Sequence, residues 1–410
     1  MVPGKALGMV MQRSWRPGPA MLVTAAFIGP GTVTACSMAG LNFGYGLLWA
    51  LAFATFATII LQLLAARVAL ATGKGLAESM MSAAPGKASR WLMAILILLA
   101  LAMGNAAYEA GNLLGANLGL SLALPGAQDN GLRLIGTGLA AGILVLLGRP
   151  KWLEILLILL VLGMTATFVG ALFLLPVDWS SALAGLVPAL PENGLFTAIA
   201  LIGTTIVPYN LFLHAASVKG RFAADAEGIA AARMDTIVAV ATGGLLSMAI
   251  LLVGAALANG GSAGGNALGD IAGGLKQGFG QPASTAFALG LLGAGFSSAL
   301  TAPLATGYVV AEIVAPDDPT RHSLIFKATA LAVIAIGTLS ASLALDATAA
   351  ILVAQTANGL LLPVVATFLL WIAFKRLSLS PLARVSAIMV LLVCFLLGAR
   401  LILRAIGVWP

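Results

Sequence analysis

The stretch that most constrains this chain runs from Ile202 to His214, an apolar segment with Thr204-Thr205-Ile206-Val207-Pro208-Tyr209-Asn210 at its middle. Pro208 has no amide hydrogen, and its ring crowds the carbonyl four residues earlier, so a helix here breaks or kinks near Thr204. Backbone groups freed at membrane depth persist only where protein buries them or a polar cavity solvates them. A kink that served packing alone would not need Thr204, Thr205, Tyr209 and Asn210 beside it. A second apolar segment, Ala20 to Met38, carries Gly29-Pro30-Gly31-Thr32 at its centre. Two broken spans at corresponding positions of two halves point to an inverted repeat with its binding site at the breaks.

A bilayer is implied by composition, because 60% hydrophobic and 9% charged residues cannot cover a water-soluble surface. With roughly 20 residues needed per crossing, eleven spans can be marked: about 20–40, 45–71, 91–117, 131–148, 152–175, 195–218, 232–258, 284–313, 324–343, 348–374 and 382–404. The fold class expected is therefore an all-α polytopic membrane protein, a 5+5 inverted repeat with discontinuous first and sixth helices and about 11 transmembrane helices. The segments would be an N-terminal tail (1–19), a first repeat (20–175), an external loop (176–194), a second repeat (195–374), and an eleventh span with the C-terminus (375–410). The Gly-rich stretch Asn259 to Gly280 reads as a flexible external loop. Cys36 and Cys394 fall inside apolar spans and read as packing residues, with no disulfide framework or thiolate metal cluster.

Charge supports this topology. With the N-terminus inside, seventeen of the 21 Lys and Arg residues fall on the cytoplasmic side, and only Arg133, Lys276, Arg400 and Arg404 fall outside. The expected location is the cytoplasmic (inner) membrane, N-terminus inside and C-terminus outside. The net charge of +7 is thus a topology signal and not a nucleic-acid footprint.

The first two spans carry Gly18 to Val23, Phe43-Gly44-Tyr45, Leu61 to Arg67 and Thr72-Gly73-Lys74, the sixth carries Pro208, Asn210, Leu211, Leu213 and His214, the eighth Gly290 to Ser298, and the tenth Gln355, Leu362 and Pro363. In this order these stretches resemble the corresponding spans of the NRAMP family of proton-coupled divalent-metal transporters. The resemblance implies a LeuT-like fold and a secondary-active transporter working by alternating access. It also marks departures. The family's Asp-Pro-Gly-Asn is here Gly29-Pro30-Gly31-Thr32, and its Met-Pro-His-Asn is Val207-Pro208-Tyr209-Asn210. A proton-linked Asp and Glu of the third span correspond to Asn105 and Tyr108, with Glu109 one residue on.

These losses bear on the substrate. A dication needs compensating negative charge in a low-dielectric cavity, and the positions that remain offer neutral oxygens. Glycines flanking a proline break leave helix N-terminal amides bare, which suits a carboxylate, while the carbonyls ending the preceding half-helix suit an ammonium. The sequence therefore favours a small polar or zwitterionic, amino-acid-like solute, bound by Gly29, Pro30, Gly31, Thr32, Thr204, Val207, Tyr209, Asn210 and Gln355. A divalent cation importer of the Mn or Mg type is the alternative, and a non-transporting sensor a third reading. Glu109 and His214 are the candidates for proton coupling, the former because a carboxylate within a span is costly unless used. Glu312 reads as a solvated helix-end residue or a partner of Arg321. Asn112, Asn117 and Asn358 fit interhelical hydrogen bonding. No enzymatic activity, cofactor or resident metal site is expected; the partners are a solute, a coupling proton and the lipid bilayer.

Overall fold

A computed structural model of the chain describes residues 28–124, 130–147, 151–258, 267–315, 318–344 and 346–407. Among the described residues there are fifteen α-helices and no strand. In chain order they are α1 (Pro30–Phe43), α2 (Leu48–Thr72), α3 (Leu76–Ala83), α4 (Lys87–Ala123), α5 (Asn130–Leu147), α6 (Lys151–Leu174) and α7 (Trp179–Ala184). The chain continues through α8 (Leu195–Thr205), α9 (Pro208–Lys219), α10 (Ala226–Ala258), α11 (Ala267–Phe279), α12 (Gln281–Val314), α13 (Pro319–Ser342), α14 (Ala347–Arg376) and α15 (Pro381–Ala405).

Among the described residues eight helices are long and apolar enough to cross a membrane, counting α8 and α9 as one broken span. Shorter apolar stretches in α5 and α6 add two more, and α1 is the second half of the remaining broken span. The first half of that span, residues 20–27, lies outside the described residues, as do the tail and Pro410. Large apolar side chains such as Leu139, Leu147, Phe173 and Leu382 face outward, the surface a bilayer accepts and water does not.

The packing has the exchange expected of two related halves. Helix α1 packs on α10 while α9 packs on α2; α4 packs on α14 while α12 packs on α6; and α4 meets α12 in the middle. Such swapped pairs follow from two units of the same plan related by an axis in the membrane plane. The broken span α8–α9 sits at the centre, with 94% of its most apolar stretch buried against 22% for α15 at the rim.

Two expectations change. The stretch read as a flexible loop contains α11, because Leu268, Ile271, Ala272 and Leu275 recur at helical spacing and are buried despite the glycines around them. Residues 259–266 of that loop lie outside the described residues. The break of the sixth span falls at Ile206–Val207, two residues past Thr204. Helix α8 keeps its ladder to the end, with Ile206 N–H donating to Ile202 O at 2.8 Å. Val207 is extended (φ −81°, ψ 121°), as a residue before proline prefers, and Pro208 then opens α9, where a missing amide costs nothing.

Candidate functional site

The two breaks meet. The Thr32 hydroxyl, in the first turn of α1, lies 2.8 Å from that of Thr204, in the last turn of α8, and both residues are fully buried. One hydrogen bond therefore joins residues 172 apart in the chain at the point where both helices are interrupted. Around it, α1 starts at Gly29 (φ −100°, ψ −178°) with Pro30 in its first position and no side-chain cap. Helix α9 also starts on a proline without a side-chain cap. Their first amides thus bring positive partial charge to the junction, and the carbonyls ending α8 bring negative.

Glycines set how closely the other helices approach. A methyl group on Gly31 would lie 2.1 Å from Nε2 of Gln355, so the α14 amide rests directly over the first break. A methyl on Gly203 would lie 2.0 Å from the carbonyl oxygen of Gln355, so α8 and α14 touch backbone to backbone one turn away. At Gly29 the missing side chain would point at Oγ of Ser298 (2.9 Å from the Cβ position) and at the hydroxyl of Tyr108 (3.5 Å). Tyr108 and Tyr209 meet edge to face with ring centroids 5.6 Å apart, and both are fully buried. Thus Gly29, Pro30, Gly31, Thr32, Thr204, Tyr209 and Gln355 all border one junction. Val207 forms the turn between α8 and α9. Asn210 is buried, and neither atom of its amide has a hydrogen-bond partner among the described residues.

The proton-coupling candidates have different neighbours, Glu109 of α4 lying against α13 and His214 of α9 against α10. Glu109 is fully buried in α4; its stem packs against Gly337 of α13, and Oε2 accepts from Asn112 Nδ2 at 3.4 Å. Its other oxygen has no hydrogen-bond partner among the described residues. His214 Nε2 lies 3.1 Å from the Thr236 hydroxyl, which itself donates to the Ala232 carbonyl at 2.7 Å. That hydroxyl can only accept from the ring, so Nε2 carries a proton, and Nδ1 has no hydrogen-bond partner among the described residues. Asn105, at a position the resemblance links to protons, is tied to Thr306 of α12.

Glu312 is neither a freely solvated end residue nor tied to Arg321. Its carboxylate lies where a methyl on Gly75 would be, at the cap of α3, within reach of the Glu78 amide and the Tyr308 hydroxyl. Reading by sequence also passed over Tyr108 and Ser298 as lining residues. The available signal was a bulky polar residue and a hydroxyl within spans, both noted only for their positions in the family pattern.

The junction's donors are hydroxyls, amides and carbonyls. Among the described residues no three His, Cys, Asp or Glu side chains gather where a metal could be held.

The model of a protein family described as natural resistance-associated macrophage protein-like matches residues 20–404. A divalent metal cation transporter MntH of Verminephrobacter eiseniae is 28% identical over 409 residues, covering 95% of this chain and 89% of that protein. A protein of the same name from Yersinia enterocolitica is 31% identical over 312 residues, 72% of this chain and 71% of that one. Among solved structures, an Eremococcus coleocola manganese transporter superposes with a TM-score of 0.72 at 20% identity, covering 97% of this chain and 87% of that chain. MhsT, solved in complex with L-phenylalanine, superposes at 0.63 and 17% identity, covering 94% and 99%. At these identities the structures speak to the fold, and the fold is the LeuT-like one.

Proposed function

This chain belongs to the Nramp family and is a secondary transporter of the integral membrane class, and from that premise we propose that its substrate is a divalent metal cation carried with part of its water shell. The zwitterionic solute that the sequence favoured has no support among the relatives, which are named for divalent metal cations. The observation that carries the reading is that relatives covering most of the chain are named for divalent metal cations, and the chemistry of the junction bears on how such a cation would be held. The junction offers the hydroxyls of Thr32 and Thr204, the Gln355 amide and the carbonyls ending α8, all neutral oxygen donors, with neither sulfur nor carboxylate among the described side chains that border it. Sulfur and nitrogen ligands favour the later transition metals, whereas neutral oxygens suit hard cations and replace only part of a hydration shell. The residues we assign to the substrate are Gly29, Pro30, Gly31, Thr32, Thr204, Val207, Tyr209, Asn210 and Gln355. Glu109 and His214 are assigned to proton coupling.

Such a site binds weakly and discriminates little between Mg²⁺ and Mn²⁺. Calorimetry should give Mn²⁺ a dissociation constant in the millimolar range, about 4 kcal/mol, and proteoliposomes should take up both ions at millimolar concentrations. Adding Gly29→Asp with Val207→Met, which restores a carboxylate and a thioether, should tighten Mn²⁺. If no divalent cation shifts the melting temperature or is taken up, while a small zwitterion does both, the cation reading falls. For orientation we propose the inner membrane with the N-terminus and residues 219–233 cytoplasmic and the C-terminus outside, on the asymmetry of Lys and Arg. Thiol labelling of cysteines placed at 225 and 409 should find them on opposite sides.

A further inference from the structure

Helix α3 is eight residues long and is held at both ends by the second half of the chain. At its N-terminus no residue of its own caps it. Glu312, at the end of α12, places its carboxylate there instead, so close to the cap residue Gly75 that a methyl on that glycine would overlap it. The Glu78 amide, in the third position of α3, is within its reach, which is where a capping oxygen belongs. At the other end, Lys375 in the last turn of α14 donates from Nζ to the carbonyl of Ala83, the last residue of α3, at 2.9 Å. Its ammonium also lies 5.2 Å from the centre of the Trp371 ring, which steadies it. An anion thus holds the positive end of the helix and a cation the negative end, each matched to the helix dipole.

The remaining side-chain hydrogen bonds and the ion pair of α3 are local. The Thr72 and Ser79 hydroxyls are 2.8 Å apart, and Lys74 pairs with Glu78 at 3.0 Å, so α3 is tied to the end of α2. It also packs on α9, whose terminal Lys219 lies in electrostatic range of Glu312. A short helix fastened to α2 and packed on α9 is therefore gripped from the far side by α12 and α14. Alternating access moves one group of helices against another around a fixed site, and cross-links of this kind must open when that happens.

We propose that α3 is the clasp that closes this end of the transporter, with Glu312 and Lys375 as its two catches. It rests on the chain being a transporter and not on which substrate it carries. The test uses the full chain in proteoliposomes, with Cys36 and Cys394 replaced by Ala and a reporter Thr205→Cys beside the junction. A membrane-impermeant thiol reagent is applied from the side on which Lys74 is found to lie. Glu312→Gln and Lys375→Met should each raise the labelling rate several-fold, and the two together more than either. In a second variant, Gly75→Cys with Glu312→Cys, oxidation should stop Mn²⁺ uptake and slow labelling of the reporter, and reduction should restore both. Unchanged labelling in both single variants with normal melting overturns the proposal, as does a lowered melting temperature without a change in labelling. Labelling needs no substrate, so a transporter that fails to carry Mn²⁺ leaves that arm of the test decisive.

Discussion

The two breaks use the same device, a proline opening the second half of an interrupted helix, yet they are furnished in opposite ways. The first break brings almost no side chains of its own. Gly29, Pro30 and Gly31 leave a bare backbone, and its surroundings are filled by groups reaching in from elsewhere: Gln355 from α14, Ser298 from α12 and Tyr108 from α4. The second break carries Val207, Tyr209 and Asn210 itself, and one turn earlier Gly203 lets α8 lie directly on the α14 backbone. The difference suggests a division of labour. The first break rests its Pro30 ring against the α4 backbone at Gly115 and is otherwise lined by movable ends of side chains, whereas the second is anchored by contact between two main chains, which have nowhere to go.

Adding bulk at the two glycines breaks that comparison most severely. Gly203→Val would drive a side chain into the Gln355 carbonyl and the Gly359 amide, and overpacking against backbone costs roughly 3 kcal/mol or more. Melting in detergent should fall steeply, and little folded protein should be recovered. Gly31→Ala meets only the end of the Gln355 side chain, which can swing away. That variant should fold with a melting temperature close to the parent and lose transport. Equal losses of stability in the two would erase the distinction.

The proton candidates sharpen the contrast next. Glu109 has an oxygen with no partner among the described residues and an amide neighbour that can follow either protonation state, while the His214 ring is held by the Thr236 hydroxyl through its Nε2–H. Glu109→Gln keeps the shape and the Asn112 contact but removes the charge change, so accumulation driven by a pH gradient should disappear while substrate exchange persists. His214→Gln should retain most of the pH-driven accumulation. The reverse pattern, measured in the same proteoliposomes, would move the proton carrier from the α4 side to α9.

How much of this was legible in the sequence depends on the physics behind each feature. Pro30 and Pro208 announced the breaks because proline's missing donor acts locally, and the eleven spans followed from hydropathy and length alone. Helix α11 was obscured because glycine-rich composition hides a helical stripe as short as Leu268, Ile271 and Leu275. The reach of Gln355 over Gly31 could be suspected only through a family pattern. The capping of α3 by Glu312 joins residues more than two hundred positions apart and leaves no trace in spacing. The same holds for the substrate: composition at the breaks argued from charge balance toward a zwitterion, whereas relatives covering nearly the whole chain are named for metal cations.

The smallest effect concerns the one bond that joins the breaks. Replacing Thr32 or Thr204 by Val keeps nearly the same shape and removes the hydrogen bond between the two hydroxyls, at a cost of about 1–2 kcal/mol for each single change. Each single variant already loses the shared bond and the double variant loses it only once, so the double should be less destabilised than the sum of the two by about 1 kcal/mol. Denaturation of all four proteins completes the cycle. A coupling of that size places the bond between the breaks in the ground state of the folded protein. Strict additivity would mean that the two half-helices are held together by the packing of α14 alone, and that the hydroxyls meet only because their helices already do.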